Sequence, residues 1–301
     1  MLYKNILCCL AALLAVGLQS AAQTNEQSST FLNARAVKCD ACKDVVYNTE
    51  GYVITKAELQ EDLEKANMNR IKKSFAIPQK DTARYAPPFP GTRIYKYDDT
   101  RDSILFHYSV YFTQKAPGKV WVITFMTPCD RDSAIEEKMY NAILNDAVPG
   151  YVSTSLLPKD SVRFAGRKIM TEPGSKWADI WTLSSYNRYN SLSWSEFSNR
   201  ERALQLSNFF QNYGSRGYKL LEESDVPITF EGKEVIALKR IFVRKRAKRD
   251  GLLLNNYFVD YVITAEVRGR YVTCLLSHPT EDPSIVVLRP LMKQLMRFKN
   301  H

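Results

Sequence analysis

Cys39-Asp40-Ala41-Cys42 is the sharpest chemical spacing in the chain. Two thiols separated by two residues exchange disulfides when a helix N-terminus lowers the pKa of the first. The flanks argue against that use. Ala34 to Lys38 makes a poor leading strand, and Lys38 stands where redox pairs carry an aromatic residue. Haem attachment needs a histidine after the second cysteine, and Lys43 is there instead. Zinc needs two further ligands, but Cys129, Cys274 and the three histidines show no ligand spacing, so no metal site is read. The pair is therefore read as part of one structural disulfide: Cys39 with Cys42, or one of these with Cys129.

Two further clusters could bind a partner. Lys239 and Arg240, followed by Arg244, Lys245, Arg246, Lys248 and Arg249, form a basic run between two strand patterns, as at the tip of a hairpin. Such a cluster suits phosphate or sulfate groups on a glycan or lipid headgroup. It lacks the interleaved aromatics that nucleic acid would want, and nucleic acid is not expected as a partner. Trp177, Trp181, Tyr186, Tyr189 and Trp194 sit among Ser and Asn, a composition like that of adaptable binding loops. The competing reading packs Trp177 and Trp181 into the core. For catalysis the inventory is thin, with no G-x-S-x-G, H-E-x-x-H or phosphate-binding loop and no cofactor motif. Acidic pairs such as Glu136-Glu137 read as surface.

The elements that must position these residues begin after a leader. Lys4 is followed by an apolar run from Ile6 to Leu18 and the small residues Ser20-Ala21-Ala22. That is the pattern of a secretory signal peptide, residues 1–22. The run is shorter than the roughly 20 residues that span a bilayer, so no transmembrane segment is expected. Cys8 and Cys9 lie inside the run, too early for lipid attachment at the cleavage point. The destination is read as periplasmic or secreted, in a bacterium because no N-x-Ser/Thr sequon occurs. The formal charge of +10 favours anionic partners.

The rest of the chain reads as a duplication. Phe89-Pro90-Gly91 precedes an alternating strand at 104–112, a turn at Pro117-Gly118, a second strand at 120–126 closed by Pro128, and a helix from Ser133 with a Ser133/Glu136 capping box. Phe230-Glu231-Gly232 precedes strands at 257–265 and 271–276, the turn Arg268-Gly269, Pro279, and a last helix with Leu288, Leu291, Leu295 and Phe298. Upstream helices are expected from the Thr55/Glu58 and Ser193/Glu196 boxes. A strand pair turning at Gly166 covers 162–169. Aligning Pro128 with Pro279 sets Cys274 on Ile123, so Cys274 reads as a buried free thiol.

The predicted fold class is α+β: two similar units, each an antiparallel β-sheet with flanking helices, over residues 23–149 and 150–301. Tyr218 to Leu221, Val226 to Gly232, Tyr257 to Val267, Gly269 to Leu276 and the last helix follow the element order of PsbP-like proteins, which the second unit resembles. That group is functionally diverse, so the resemblance implies a fold and no site residue. The functional expectation is an exported, non-catalytic binding or accessory protein of the cell envelope, with an envelope protein, a glycan or a lipid headgroup as partner. The alternatives are a secreted or periplasmic hydrolase-like enzyme with a diverged site, and a structural subunit of an envelope assembly.

Overall fold

The computed structural model describes residues 34–38, 45–64, 67–78, 83–85, 91–101, 104–148, 153–154, 157–185, 190–212, 218–244, 257–284 and 288–299. The leader and Cys39–Cys42 lie outside them, as do Tyr186, Tyr189 and residues 245–249.

The first unit runs β1 (Arg35–Lys38), β2 (Val45–Thr49), β3 (Tyr52–Leu59), α1 (Met68–Ser74), β4 (Ala83–Tyr85), β5 (Thr92–Arg101), β6 (Ile104–Ala116), β7 (Lys119–Thr127) and α2 (Ser133–Leu144). A short strand, β8 (Ser153–Thr154), returns to pair in parallel with β1. The hairpin β9 (Ser161–Phe164) and β10 (Arg167–Met170) follows. The second unit then runs β11 (Lys176–Trp177), β12 (Thr182–Ser184), β13 (Ser191–Phe197), α3 (Arg200–Asn212), β14 (Tyr218–Phe230), β15 (Lys233–Arg244), β16 (Tyr257–Val267), β17 (Arg270–Thr280), α4 (Pro290–Lys293) and β18 (Met296–Phe298). The two eight-stranded sheets are ordered β4-β5-β6-β7-β3-β2-β1-β8 and β11-β12-β13-β17-β16-β15-β14-β18. With β8 and β18 set aside, both follow one path: three strands, a helix, then four strands returning so that the last pairs with the third.

This corrects the α+β expectation. The chain is mostly β, and its helices are few and short. The helix expected from Thr55 is instead β3, in which the buried Tyr52 and Ile54 share one face and Val53 to Leu59 pair with β7. Only Met68–Ser74 is helical there, capped by Asn67, whose Oδ1 accepts from the Arg70 amide. Ser193 and Glu196 lie within β13, and the helix begins at Arg200. The last helix shrinks to four residues with Pro290 at its start, and the chain then adds β18 to the edge of β14. Short helical segments gain little on their own, whereas sheet pairing gives Thr55–Leu59 and Ser193–Phe197 ladder partners.

Alternation gives each sheet two apolar faces. In the first unit, Tyr95, Val110, Phe112 and Val122 face α1, while Ile94, Tyr111, Ile123 and Phe125 face α2. In the second, Phe197 and Val262 face Ala203, Leu206 and Phe210 of α3. The other face, with Ile263, Cys274 and Leu276, packs on Phe164 and Ile169 of the β9–β10 hairpin and on Leu291, Met292 and Leu295.

The units meet at the β2–β3 turn. Glu50 (φ 51°) and Gly51 (φ 75°) adopt left-handed backbone, the geometry of a two-residue hairpin turn. A Cβ on Gly51 would lie 2.8 Å from the Phe197 ring, so only glycine lets the tip seat. The Glu50 amide donates to the Glu196 carbonyl at 3.0 Å. Its buried carboxylate accepts from Arg270 at 2.7 Å and from the Ser198 amide at 2.8 Å. Arg202 Nη2 donates to the Glu50 carbonyl at 3.0 Å.

Candidate functional site

A buried polar constellation lies where the sequence reading expected ordinary surface, between α2 and the first sheet. Pairing of β5 with β6 sets Lys96 opposite Ser109 and Asp98 opposite His107. Met139, Tyr140 and Ile143 hold α2 against this face. The helix is capped by Asp132, whose Oδ1 accepts from the Ala134 and Ile135 amides. Ser133 is therefore not the cap, and Glu136 is not its boxing partner. Glu136 turns inward and is fully buried.

Three hydroxyls converge on the Glu136 carboxylate. Tyr52 and Ser109 donate to Oε1 at 3.2 and 3.0 Å, and Tyr111 donates to Oε2 at 3.0 Å. Lys96 Nζ stands 3.9 Å from Oε2. Burial, and then the Glu136 charge, push both tyrosines well above the ordinary phenol range, so they remain neutral donors. Tyr52 OH also accepts from the Asp132 amide at 2.8 Å. One turn along, Tyr140 OH bonds the hydroxyls of Thr92 and Thr113.

At the open end of the same face, His107 Nδ1 lies 2.9 Å from Asp98 Oδ1. Arg131 Nη2 donates to that oxygen at 2.5 Å and to the Tyr97 carbonyl at 2.5 Å. Desolvation raises the Asp98 pKa, but the His107 hydrogen bond and the Arg131 charge outweigh it and hold the carboxyl below the usual range. The arrangement can orient a histidine with a carboxylate, as general-base couples do. Sequence reading missed Glu136 because its neighbour Glu137 is exposed. The available signal was spacing: Glu136, Met139, Tyr140 and Ile143 share one helical face.

The residues singled out from sequence are distributed differently. Arg240 is buried and paired with Asp260 at 3.1 Å, with a further bond to the Gln211 carbonyl. It holds α3 to the sheet. Lys239 lies on the opposite face of β15 and is half-buried. Arg244 ends β15, and Lys245, Arg246, Lys248 and Arg249 lie outside the described residues.

Trp177 and Trp194 are buried, and Trp181 is half-buried. They receive the chain's own Arg35, whose guanidinium stands 3.6 Å from the Trp194 ring centroid and 4.9 Å from that of Trp177. Arg35 donates to the carbonyls of Ile180 and Trp194 at 2.6 and 3.1 Å. Burial lowers its pKa to about 9, against the raising influence of Glu196 and Asp179, so it stays charged at neutral pH. Tyr186 and Tyr189 lie outside the described residues.

Cys129 and Cys274 are free and buried. Cys129 Sγ donates to the Arg202 carbonyl at 3.6 Å, which removes Cys129 from the disulfide alternatives. Burial pushes its thiol up to about 11 and that of Cys274 higher still. Among the described residues, no cluster of three or more His, Cys, Asp or Glu forms a metal site. No helix there is long and apolar enough to cross a membrane.

No family model matches the chain, and no curated protein matches it. Among solved structures, it is similar to the di-domain ARO/CYC StfQ from the steffimycin biosynthetic pathway. That match covers 83% of this chain and 74% of the other, at 9% identity and a TM-score of 0.14. A likeness at that TM-score carries no argument about fold or activity, and it has no bearing on the PsbP-like element order.

Proposed function

We propose that this chain is an exported, non-catalytic binding or accessory protein of the cell envelope, with an anionic or protein partner. The observation that carries the reading is the state of Glu136. Its carboxylate is occupied by three hydroxyls and faced by Lys96, so it acts as a rigid internal brace rather than as a proton acceptor for a substrate. The anionic preference draws on the overall charge of +10 and on β15, which ends at Arg244 and leads into the basic run. Replacing Arg244, Lys245 and Arg246 by Ala should weaken salt-sensitive binding to anionic vesicles by about tenfold at low ionic strength. Binding that is unchanged by the triple substitution removes the basic run from the account. A second reading, a hydrolase-like enzyme, is favoured by the His107–Asp98 couple alone.

A further inference from the structure

The face of the second sheet under α4 is apolar except at one corner, where polar atoms lack partners. His278 is 2% exposed. Its Nδ1 lies 3.2 Å from the Pro279 carbonyl, and its Nε2 has no hydrogen-bond partner. The β13–β17 ladder ends with Ser191 opposite Ser277, which sets Asn190 beside His278 on the neighbouring strand. Asn190 Nδ2 donates to Glu172 Oε2 at 3.0 Å. Asn190 Oδ1 and Glu172 Oε1 are left buried and unmatched, and so is Nε of Arg289, the residue before α4. Lys239 lies opposite Tyr261, whose ring stacks on His278 with centroids 6.2 Å apart. Burial holds the His278 pKa below the usual histidine value against the raising Pro279 hydrogen bond, and the charges of Arg289 and Lys239 lower it further.

Buried polar groups are normally paired, and each one left unmatched costs the desolvation it does not recover. Four such atoms from four residues in one corner are a concentrated cost that a bound molecule would offset. Their chemistry restricts that molecule. With Nδ1–H directed at the Pro279 carbonyl, His278 Nε2 is an acceptor, as are Asn190 Oδ1 and Glu172 Oε1. Three acceptors call for hydroxyl donors, and Arg289 and Lys239 call for an anion.

We propose that His278, Asn190, Glu172, Arg289 and Lys239 form a binding site for a small hydroxyl-bearing anion with the chemistry of a sugar acid. Its carboxylate meets Arg289 and Lys239, and its hydroxyls meet the three acceptors. A neutral sugar leaves the cations unmatched. Inorganic phosphate carries only one or two hydroxyls near neutral pH, too few for three acceptors, and brings more negative charge towards Glu172. Arg244, Lys245 and Arg246 are not among these five residues, so vesicle binding and sugar-acid binding stand or fall separately.

Isothermal titration of the purified protein with glucuronate, glucose and inorganic phosphate tests this assignment. The expected result is measurable glucuronate affinity, with glucose and phosphate at least about tenfold weaker. Arg289→Gln should lose about tenfold or more of the glucuronate affinity while unfolding at the parent temperature. If Arg289→Gln fails to fold, Lys239→Gln, which removes the other cation, provides the same comparison. The His278 ring ¹⁵N resonances should shift on saturation. Absence of glucuronate binding, phosphate binding of equal strength, full affinity in the variant that folds, or unmoved His278 resonances would each overturn the proposal.

Discussion

The two units lay the same strand path over different interiors. By ladder register, Asp98, His107, Ser109 and Tyr111 of the first sheet correspond to Ile241, Val259, Tyr261 and Ile263 of the second. On the adjoining strands, Ile123 and Thr127 correspond to Cys274 and His278. Under α2 the face is a hydrogen-bonded mosaic around Glu136, and under α4 it is close to pure hydrocarbon. Lys96 and Lys239 occupy equivalent positions, but Lys96 faces a buried carboxylate while Lys239 stands at the polar corner near His278. The strand order supplies a set of inward-facing positions, and the residues placed there decide whether the unit becomes a polar scaffold or an apolar core.

The comparison breaks most directly at Glu136. Glu136→Ala would strand Tyr52, Ser109 and Tyr111 as buried donors and remove the carboxylate that Lys96 faces. Removing one partner of a buried charged network costs about 3–5 kcal/mol, readable as a shift in the urea midpoint. Glu136→Gln, which keeps one acceptor, should cost about half as much. A loss below about 1 kcal/mol for the alanine variant would mean that the mosaic contributes no more than an apolar packing would.

Next in size is a pH effect peculiar to the second unit. Burial pushes the Asp260 carboxyl up to about 6, against the lowering influence of Arg240 and Ser277. The folded pKa thus exceeds the unfolded one, and between about pH 4 and 6 the native state holds the extra proton. Stability therefore falls as pH rises through that window, by at most about 3 kcal/mol for a two-unit shift. Asp260→Asn should flatten this slope in urea titrations at pH 4 and pH 6.5. A variant slope equal to the parent's would deny Asp260 its part in it.

Cys274→Ser tests the apolar side of the comparison. It places a hydroxyl among Trp194, Ile263 and Leu276 without a built partner, at about 2 kcal/mol. Cys129→Ser should cost less, about 1 kcal/mol, because the Arg202 carbonyl can accept from the new hydroxyl. Equal losses in the two denaturation curves would show that the Cys274 pocket is not dry.

How much of this was legible beforehand depends on which physical signal each residue carries. Strand alternation at 104–112 and 257–265 and the turns at Gly118, Gly166 and Gly269 follow from local pattern, and the burial of Cys274 follows from aligning the two repeats. The helix expectations at Thr55 and Ser193 failed for one reason. A Ser/Thr-x-x-Glu spacing also fits a strand, and long-range pairing with β7 and β17 outweighed it. The Glu136 network was hidden because its donors arrive from β3 and β6, far apart in sequence. Arg240 read as one of a basic run until the β15–β16 register brought Asp260 opposite it. The tryptophans were visible, but their occupant, Arg35, lies more than a hundred residues away.

The smallest expected effect is at His107. Its contact with Asp98 is part-exposed, and Asp98 keeps Arg131 when the imidazole is removed. His107→Ala should therefore change stability by no more than about 1 kcal/mol, the usual range of an exposed pair. Its value lies in separating the two readings of the first unit. If the polar face is a brace, the variant keeps both its fold and its vesicle binding. If the face is a diverged hydrolytic centre, a panel of ester and glycoside substrates should reveal turnover in the parent that His107→Ala abolishes while the urea midpoint stays fixed. Loss of turnover without loss of stability would move the first unit from scaffold to active site, and would make the contrast with the apolar second unit one between a catalytic face and a binding one.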